Sequence, residues 1–291
     1  MKTKKIAPYI YVTPAMILML AFTSFPAIKS IYLSFYNWDG FYTKTFCGLN
    51  NYLKIMRSDE FFLSLKNNLI FFLLTAGGGI LFGLIIALSI ASSKRINFFR
   101  FVFYIPCIIS TTAAAYMWNF VYEPNYGVIN TVLKYIGLGS LAHVWLGDDK
   151  TVILCIAITA IWQGAGLIIL LLVTAINNIP EDLYESAYLE GIRPLQQAVY
   201  ITIPLIKNVI VTIGLLNLMN SFKAFDLIYV MSNGGPGTSS YVLGILMYRK
   251  AFEGLQYNFA TAVGVISIII VGAISILYMK ITGYYEESVE Y

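Results

Sequence analysis

Few side chains in this chain could do chemistry, and most of those are amides or hydroxyls set in apolar surroundings. Gln163, Asn217, Asn220 and Ser221 each interrupt a run of hydrophobic residues. Polar groups in lipid are costly, so such residues should face a protein interior or a cavity. Amides and hydroxyls facing a cavity could pair with a polar solute. Spacing groups them. Asn217, Asn220 or Ser221, and Ala224 share one helix face, and Gln163 shares a face with Leu167, with Gly164 beside it. The same residues could instead bond one helix to another, worth about 0.6 kcal/mol each.

A second cluster is acidic. Glu181, Asp182, Glu185 and Glu190 lie together between two apolar runs, opposed there only by Arg193. Lys223 and Asp226 stand i, i+3 at the end of another run and could form a solvated or interfacial pair. The single histidine, His143, falls in a polar stretch and reads as a surface residue. The three cysteines, Cys47, Cys107 and Cys155, have no metal-ligand spacing. No Gly-x-x-x-x-Gly-Lys-Ser/Thr loop occurs, so ATP should not bind this chain, and no HExxH or GxSxG points to a hydrolase. An enzyme working inside the membrane would need a nucleophile–base or metal constellation within the apolar runs, and one histidine in a loop gives it little support. No cofactor is expected.

These residues must be positioned by membrane helices. Of 291 residues, 58% are hydrophobic and 12% charged. That is about half the usual ~25% charge of a soluble protein. Mean hydropathy is +0.73. A soluble globule could not cover its surface with so little charge, and a disordered chain would be polar. The net charge of +4 is small and scattered, which gives no argument for nucleic acid. Crossing a ~30 Å hydrocarbon core takes about 20 apolar helical residues. Six spans are predicted, at about 9–33, 69–92, 101–122, 151–177, 205–222 and 258–279, making 1–291 one all-α polytopic domain. The first apolar run is longer than a signal-peptide core and has no clear cleavage site, so it reads as a retained helix. The spacing Gly79-x-x-x-Gly83 reads as close helix packing.

Lys2, Lys4 and Lys5 precede span one, and Lys94, Arg95 and Arg100 join spans two and three. Short-loop Lys and Arg mark the cytoplasmic side, which places both termini there. The acidic segment breaks that trend. Within it, Pro180 suits a first helical position and the acids after it favour the helix start. Gly191 can end that helix with a positive φ, and Pro194 can begin a second one over 194–200. The segment 180–204 is then either a helix–glycine turn–helix knob or an ordinary connection.

Its residues carry a resemblance. Glu185-Ser186-Ala187, then Gly191, then Ile201-Thr202-Ile203-Pro204, is similar in every spacing to the EAA loop of binding-protein-dependent ABC importer permeases. Ser186, Ile203, Glu190 and Ala198 depart mildly from the pattern. Gly48-Leu49-Asn50-Asn51-Tyr52, with Phe61, Phe62, Asn67 and Asn68 after it, resembles the sugar-type permeases. So does Asn233-Gly234-Gly235-Pro236, which is either only a turn or part of an outward docking face. The family implies a MetI-like permease fold and a coupling role for Glu185, Ser186, Ala187, Gly191, Ile201 and Pro204. It implies a sugar pathway lined by Gln163, Gly164, Leu167, Asn217, Asn220, Ser221 and Ala224. It also implies partners: a second homologous permease, two ATPase subunits that bind the ATP, and an extracytoplasmic solute-binding protein. A self-contained secondary transporter would need inverted repeats or intramembrane ions, and neither is evident.

Overall fold

The computed structural model describes residues 3–38, 40 and 44–284. Lys2 of the amino-terminal basic cluster lies outside them, and of Lys4 and Lys5 only the helical backbone is described. The helices are α1 (Thr3–Met19), α2 (Phe25–Leu33), α3 (Asn50–Met56), α4 (Asp59–Ile90), α5 (Ile96–Ile108), α6 (Thr111–Val121), α7 (Val128–Tyr135) and α8 (Val152–Asn177). They continue with α9 (Glu181–Leu189), α10 (Pro194–Gln197), α11 (Ile203–Leu205), α12 (Lys207–Lys223), α13 (Asp226–Ser232), α14 (Leu243–Tyr248) and α15 (Tyr257–Thr282). A short antiparallel hairpin pairs β1 (Tyr36–Trp38) with β2 (Lys44–Phe46).

Among the described residues, four helical stretches are long and apolar enough to cross a membrane by themselves: Tyr11–Leu33, α4, α8 and α15. Two bent pairs bring the number to six when each pair is taken as one span. The run 101–122 is one such pair. Its helices α5 and α6 meet at 95° instead of forming one rod. Pro106 removes a backbone donor just before the break. Ser110 then turns extended, and its Oγ caps α6 by accepting from the Ala113 N–H at 3.3 Å. The second pair, Pro194–Leu205 and α12, bends by 69° at Ile206.

The chain forms two compact units. The first comprises Met1–Phe61 and Leu246–Ile270. There Asn51, almost fully buried, donates from Nδ2 to the carbonyls of Ser34 (2.8 Å) and Tyr36 (3.0 Å). Its Oδ1 accepts from Asn258 Nδ2 at 3.0 Å. Tyr52 and Ser34 share a hydroxyl–hydroxyl bond of 2.6 Å. The Asn51-Tyr52 pair noted in the sequence therefore ties the hairpin to a helix.

The second unit comprises Phe62–Ile245 and Val271–Tyr291. Its core is α8 against α4 and α12, through Ala87, Ile90, Ile169, Leu172, Ile206 and Ile213. Added Cβ atoms at Gly79 and Gly83 would stand 3.1 Å and 2.5 Å from Ile168 of α8, so these glycines make room for a packed side chain. Asn68, fully buried, donates from Nδ2 to Ser221 O (2.8 Å) and accepts at Oδ1 from Leu243 N (2.7 Å). Asn67 donates to the carbonyls of Thr238 (2.9 Å) and Tyr241 (3.0 Å). Both asparagines fix backbone groups that the helix ladders leave over.

Candidate functional site

A cavity of about 490 Å³ opens between the helices of the second unit. Gln163, Gly164 and Leu167 line it from α8, and Asn217, Asn220 and Ser221 from α12. Ala224 also lines it, although not from the helix face its spacing suggests. It is the C-cap of α12, with an extended ψ of 118°, so the helical register stops one residue short. Phe71, Tyr104 and Phe225 add aromatic faces, Thr75 and Thr111 add hydroxyls, and Lys223 and Asp226 add opposite charges.

The polar residues divide by what they already do. Gln163 donates from Nε2 to Ile109 O at 2.9 Å, satisfying a carbonyl freed where α5 breaks. The Cys107 thiol donates to Gln163 O at 2.9 Å. Asn217 donates back to Ile213 O at 3.0 Å. Ser221 Oγ lies 3.2 Å from Thr75 Oγ1. Asn220, Lys223 and Asp226 are exposed, and their side chains have no hydrogen bond or ion pair among the described residues. The expected Lys223–Asp226 pair does not form. Helix α12 ends at Lys223, and α13 starts afresh at Asp226 after an extended Ala224.

Gly166 sets how closely the wall is built. A Cβ there would stand 2.4 Å from Phe103 O and 2.6 Å from Tyr104 Cα. Only glycine lets α5 approach α8 this closely.

The acidic segment folds as a helix, a glycine turn and a bent helix. Pro180 caps α9 from outside, with ψ 133°, and Glu181 is the first helical residue. Gly191 has φ +74°. Its N–H donates to Tyr188 O and that of Ile192 to Ala187 O, both at 3.0 Å. This is the Schellman pattern, which closes the last carbonyls of a helix. Pro194 opens α10, and Gln196 Oε1 accepts from Arg193 N at 3.1 Å. The second helix runs on past 200, through a π turn at Ala198–Thr202, to Leu205. Tyr184 OH and Thr202 Oγ1, 2.9 Å apart, join its two arms. Ala187 is buried in the angle between them, and Ile201 is half-buried. Glu185, Ser186, Gly191 and Pro204 face out. Tyr188 and Leu189 are 78% and 85% exposed, so the knob carries apolar side chains that its own chain leaves uncovered.

Two further features singled out in the sequence are held by local hydrogen bonds. His143 Nε2 lies 2.8 Å from Asp148 Oδ2, in a turn built round Asn130. The Asp148 carboxyl is held below the usual carboxylate range, first by the Lys150 backbone N–H and then by His143. The Asn233–Gly237 turn is closed by Ser232 Oγ and Ser240 Oγ, 2.7 Å apart, with Asn233 left-handed at φ 51°.

Apolar helices broken round a polar-lined cavity, with a knob of uncovered apolar residues, fit a multi-pass membrane protein of the transport class. The chain belongs to the family described as binding-protein-dependent transport system inner membrane component, which it matches over residues 79–291. It is therefore a permease subunit and not an enzyme. It is 35% identical over 281 residues to the probable ABC transporter permease protein YurN of Bacillus subtilis (strain 168), covering 95% of this chain and 96% of that one. It is 30% identical to the multiple sugar-binding transport system permease protein MsmF of Streptococcus mutans serotype c, covering 93% of each. Its fold is similar, with a TM-score of 0.81 over 99% of both chains and 24% identity, to a crystal structure of a bacterial ABC transporter involved in import of the acidic polysaccharide alginate. The architecture is thus the MetI-like permease fold.

Proposed function

We propose that this chain is a permease subunit of an ATP-driven ABC importer for a carbohydrate, working by alternating access. The observation that carries the reading is the convergence of Gln163, Gly164, Leu167, Asn217, Asn220, Ser221 and Ala224 on one cavity walled by aromatic and apolar faces. Amides and hydroxyls pair with sugar hydroxyls, and the rings cover the apolar faces of a pyranose. The sugar transport named for MsmF supports the substrate class.

Energy reaches the cavity from outside this chain. ATP is bound and hydrolysed on two separate cytoplasmic ATPase subunits. The knob around Glu185, Ser186, Ala187 and Gly191 docks on one of them, using the exposed apolar residues beside them. Ile201 and Pro204 lie on the arm that leads through the bend at Ile206 into α12, which carries Asn217 and Asn220. Movement of the knob therefore has a short covalent route to the cavity wall. A second homologous permease completes the pathway, and an extracytoplasmic binding protein delivers the sugar. Both termini lie on the cytoplasmic side of the cell membrane, with the knob. A ligand shifts such an equilibrium only by its differential affinity for the two states, which is why the ATPase must drive it.

The test is the pair Glu185→Lys and Gly191→Pro. Proline fixes φ near −65°, and Gly191 needs +74°. The double variant should insert normally yet lose both ATPase association and uptake. Normal uptake would sink the coupling role.

A further inference from the structure

We infer that Lys223 and Asp226 are specificity-determining residues of the cavity, and that together they match it to a neutral saccharide and against uronates and sugar phosphates. This rests on the carbohydrate reading above and narrows its substrate class. Both side chains line the same cavity as Asn217 and Asn220. The backbone keeps them apart as a pair: Ala224 is extended and Phe225 has φ −138°, so the helical i, i+3 geometry is lost between them. Neither side chain has a hydrogen bond or ion pair among the described residues. Two opposite charges, unpaired and exposed to one cavity, are free to meet a solute.

Their chemistry suits hydroxyls. A carboxylate only accepts and can take two sugar O–H donors, while an ammonium only donates and suits hydroxyl or ring oxygens. Such charge-assisted bonds are roughly twice as strong as neutral ones. Among the described residues the rest of the cavity lining carries no charge, so its formal charge sums to zero. An anionic sugar would gain at Lys223 about what it loses at Asp226, and would still give up the hydration of its own charge. A neutral sugar carries no such cost.

The cavity holds its own reporter, Cys107. In membranes containing the complete importer, modification of Cys107 would be followed by peptide-resolved mass spectrometry, using an anionic sulfonate and a cationic trimethylammonium methanethiosulfonate. Thr111→Cys gives a second reporter on the same lining. Asp226→Asn should raise the anionic-to-cationic rate ratio by about threefold or more, Lys223→Gln should lower it by a similar factor, and the double variant should return it towards wild type. Ratios unmoved at both reporters overturn the proposal. Substrate class is read by protection of the same cysteines with maltooligosaccharides, other neutral oligosaccharides, oligogalacturonates and glucose 6-phosphate. The expected result is protection of wild type by a neutral sugar only, with oligogalacturonate gaining protection in Asp226→Asn. Equal protection of wild type by neutral and acidic sugars overturns the proposal and leaves the carbohydrate reading standing. Protection by no sugar in the panel removes both.

Discussion

Replacing Gly166 by alanine adds one methyl group where two helices are closest. The new Cβ would stand 2.4 Å from Phe103 O, 2.6 Å from Tyr104 Cα and 2.9 Å from the Phe103 carbonyl carbon. Ordinary non-bonded contacts begin near 3.5 Å, so α5 must withdraw from α8 by about 1 Å. All three atoms are backbone, and no side chain can swing away to absorb the strain. Overpacking of this kind costs about 1–3 kcal/mol. The retreat also pulls on two bonds across the same interface, Cys107 Sγ to Gln163 O and Gln163 Nε2 to Ile109 O, each 2.9 Å long. Gly164, two residues away, is the internal control, since a Cβ there meets nothing within 4 Å. Thermal unfolding of the purified complex and the alkylation rate of Cys107 are the measurements. Gly166→Ala should melt several degrees lower and expose Cys107 to faster alkylation, while Gly164→Ala keeps the wild-type melting temperature. A Gly166→Ala variant that melts with wild type and shields Cys107 equally would refute the packing argument.

Two further outcomes follow from the buried and outlying polar groups. Asn68→Ala leaves Leu243 N without its partner in the interior and Ser221 O with only the Ala224 N–H at 3.3 Å, and should cost about 1–3 kcal/mol in thermal stability, without changing ATPase association. The Asp148 carboxyl is depressed by its Lys150 and His143 contacts. Its contribution is thus complete above the unfolded carboxylate value and fades as pH falls through the lower folded one. Hydrogen-exchange protection across 143–151, taken relative to the intrinsic rate at each pH, should fall only below about pH 4, and Asp148→Asn should remove that dependence.

The apolar runs showed the membrane class because lipid demands long uncharged helices, and α4, α8 and α15 follow them. Gly191 was legible for a local reason: a helix bounded by Pro180 and Pro194 needs a left-handed residue to turn, and glycine is the one that adopts it freely. The sides of α8 and α12 that meet the cavity were legible from helical spacing, because polar residues in lipid must turn inward. The bend at Ile109 was not, since the hydrophobic run continues across it and Pro106 was its single local mark. Ala224 was placed on a helix that ends just before it, because a helix end that rests on tertiary packing leaves no pattern. The bonds from Asn68 to Leu243 and from Asn67 to Tyr241 join residues more than 170 positions apart, a distance over which local patterning says nothing.

The proposed function has a sugar cross through the cavity of the second unit. It is tested most directly by ATP-driven uptake of radiolabelled neutral saccharides into vesicles holding the complete importer, with wild type compared against Asn217→Leu plus Asn220→Leu. Uptake should collapse in the double variant while the permease still inserts and still co-purifies with its ATPase. Undiminished sugar uptake by that variant would contradict the proposed function.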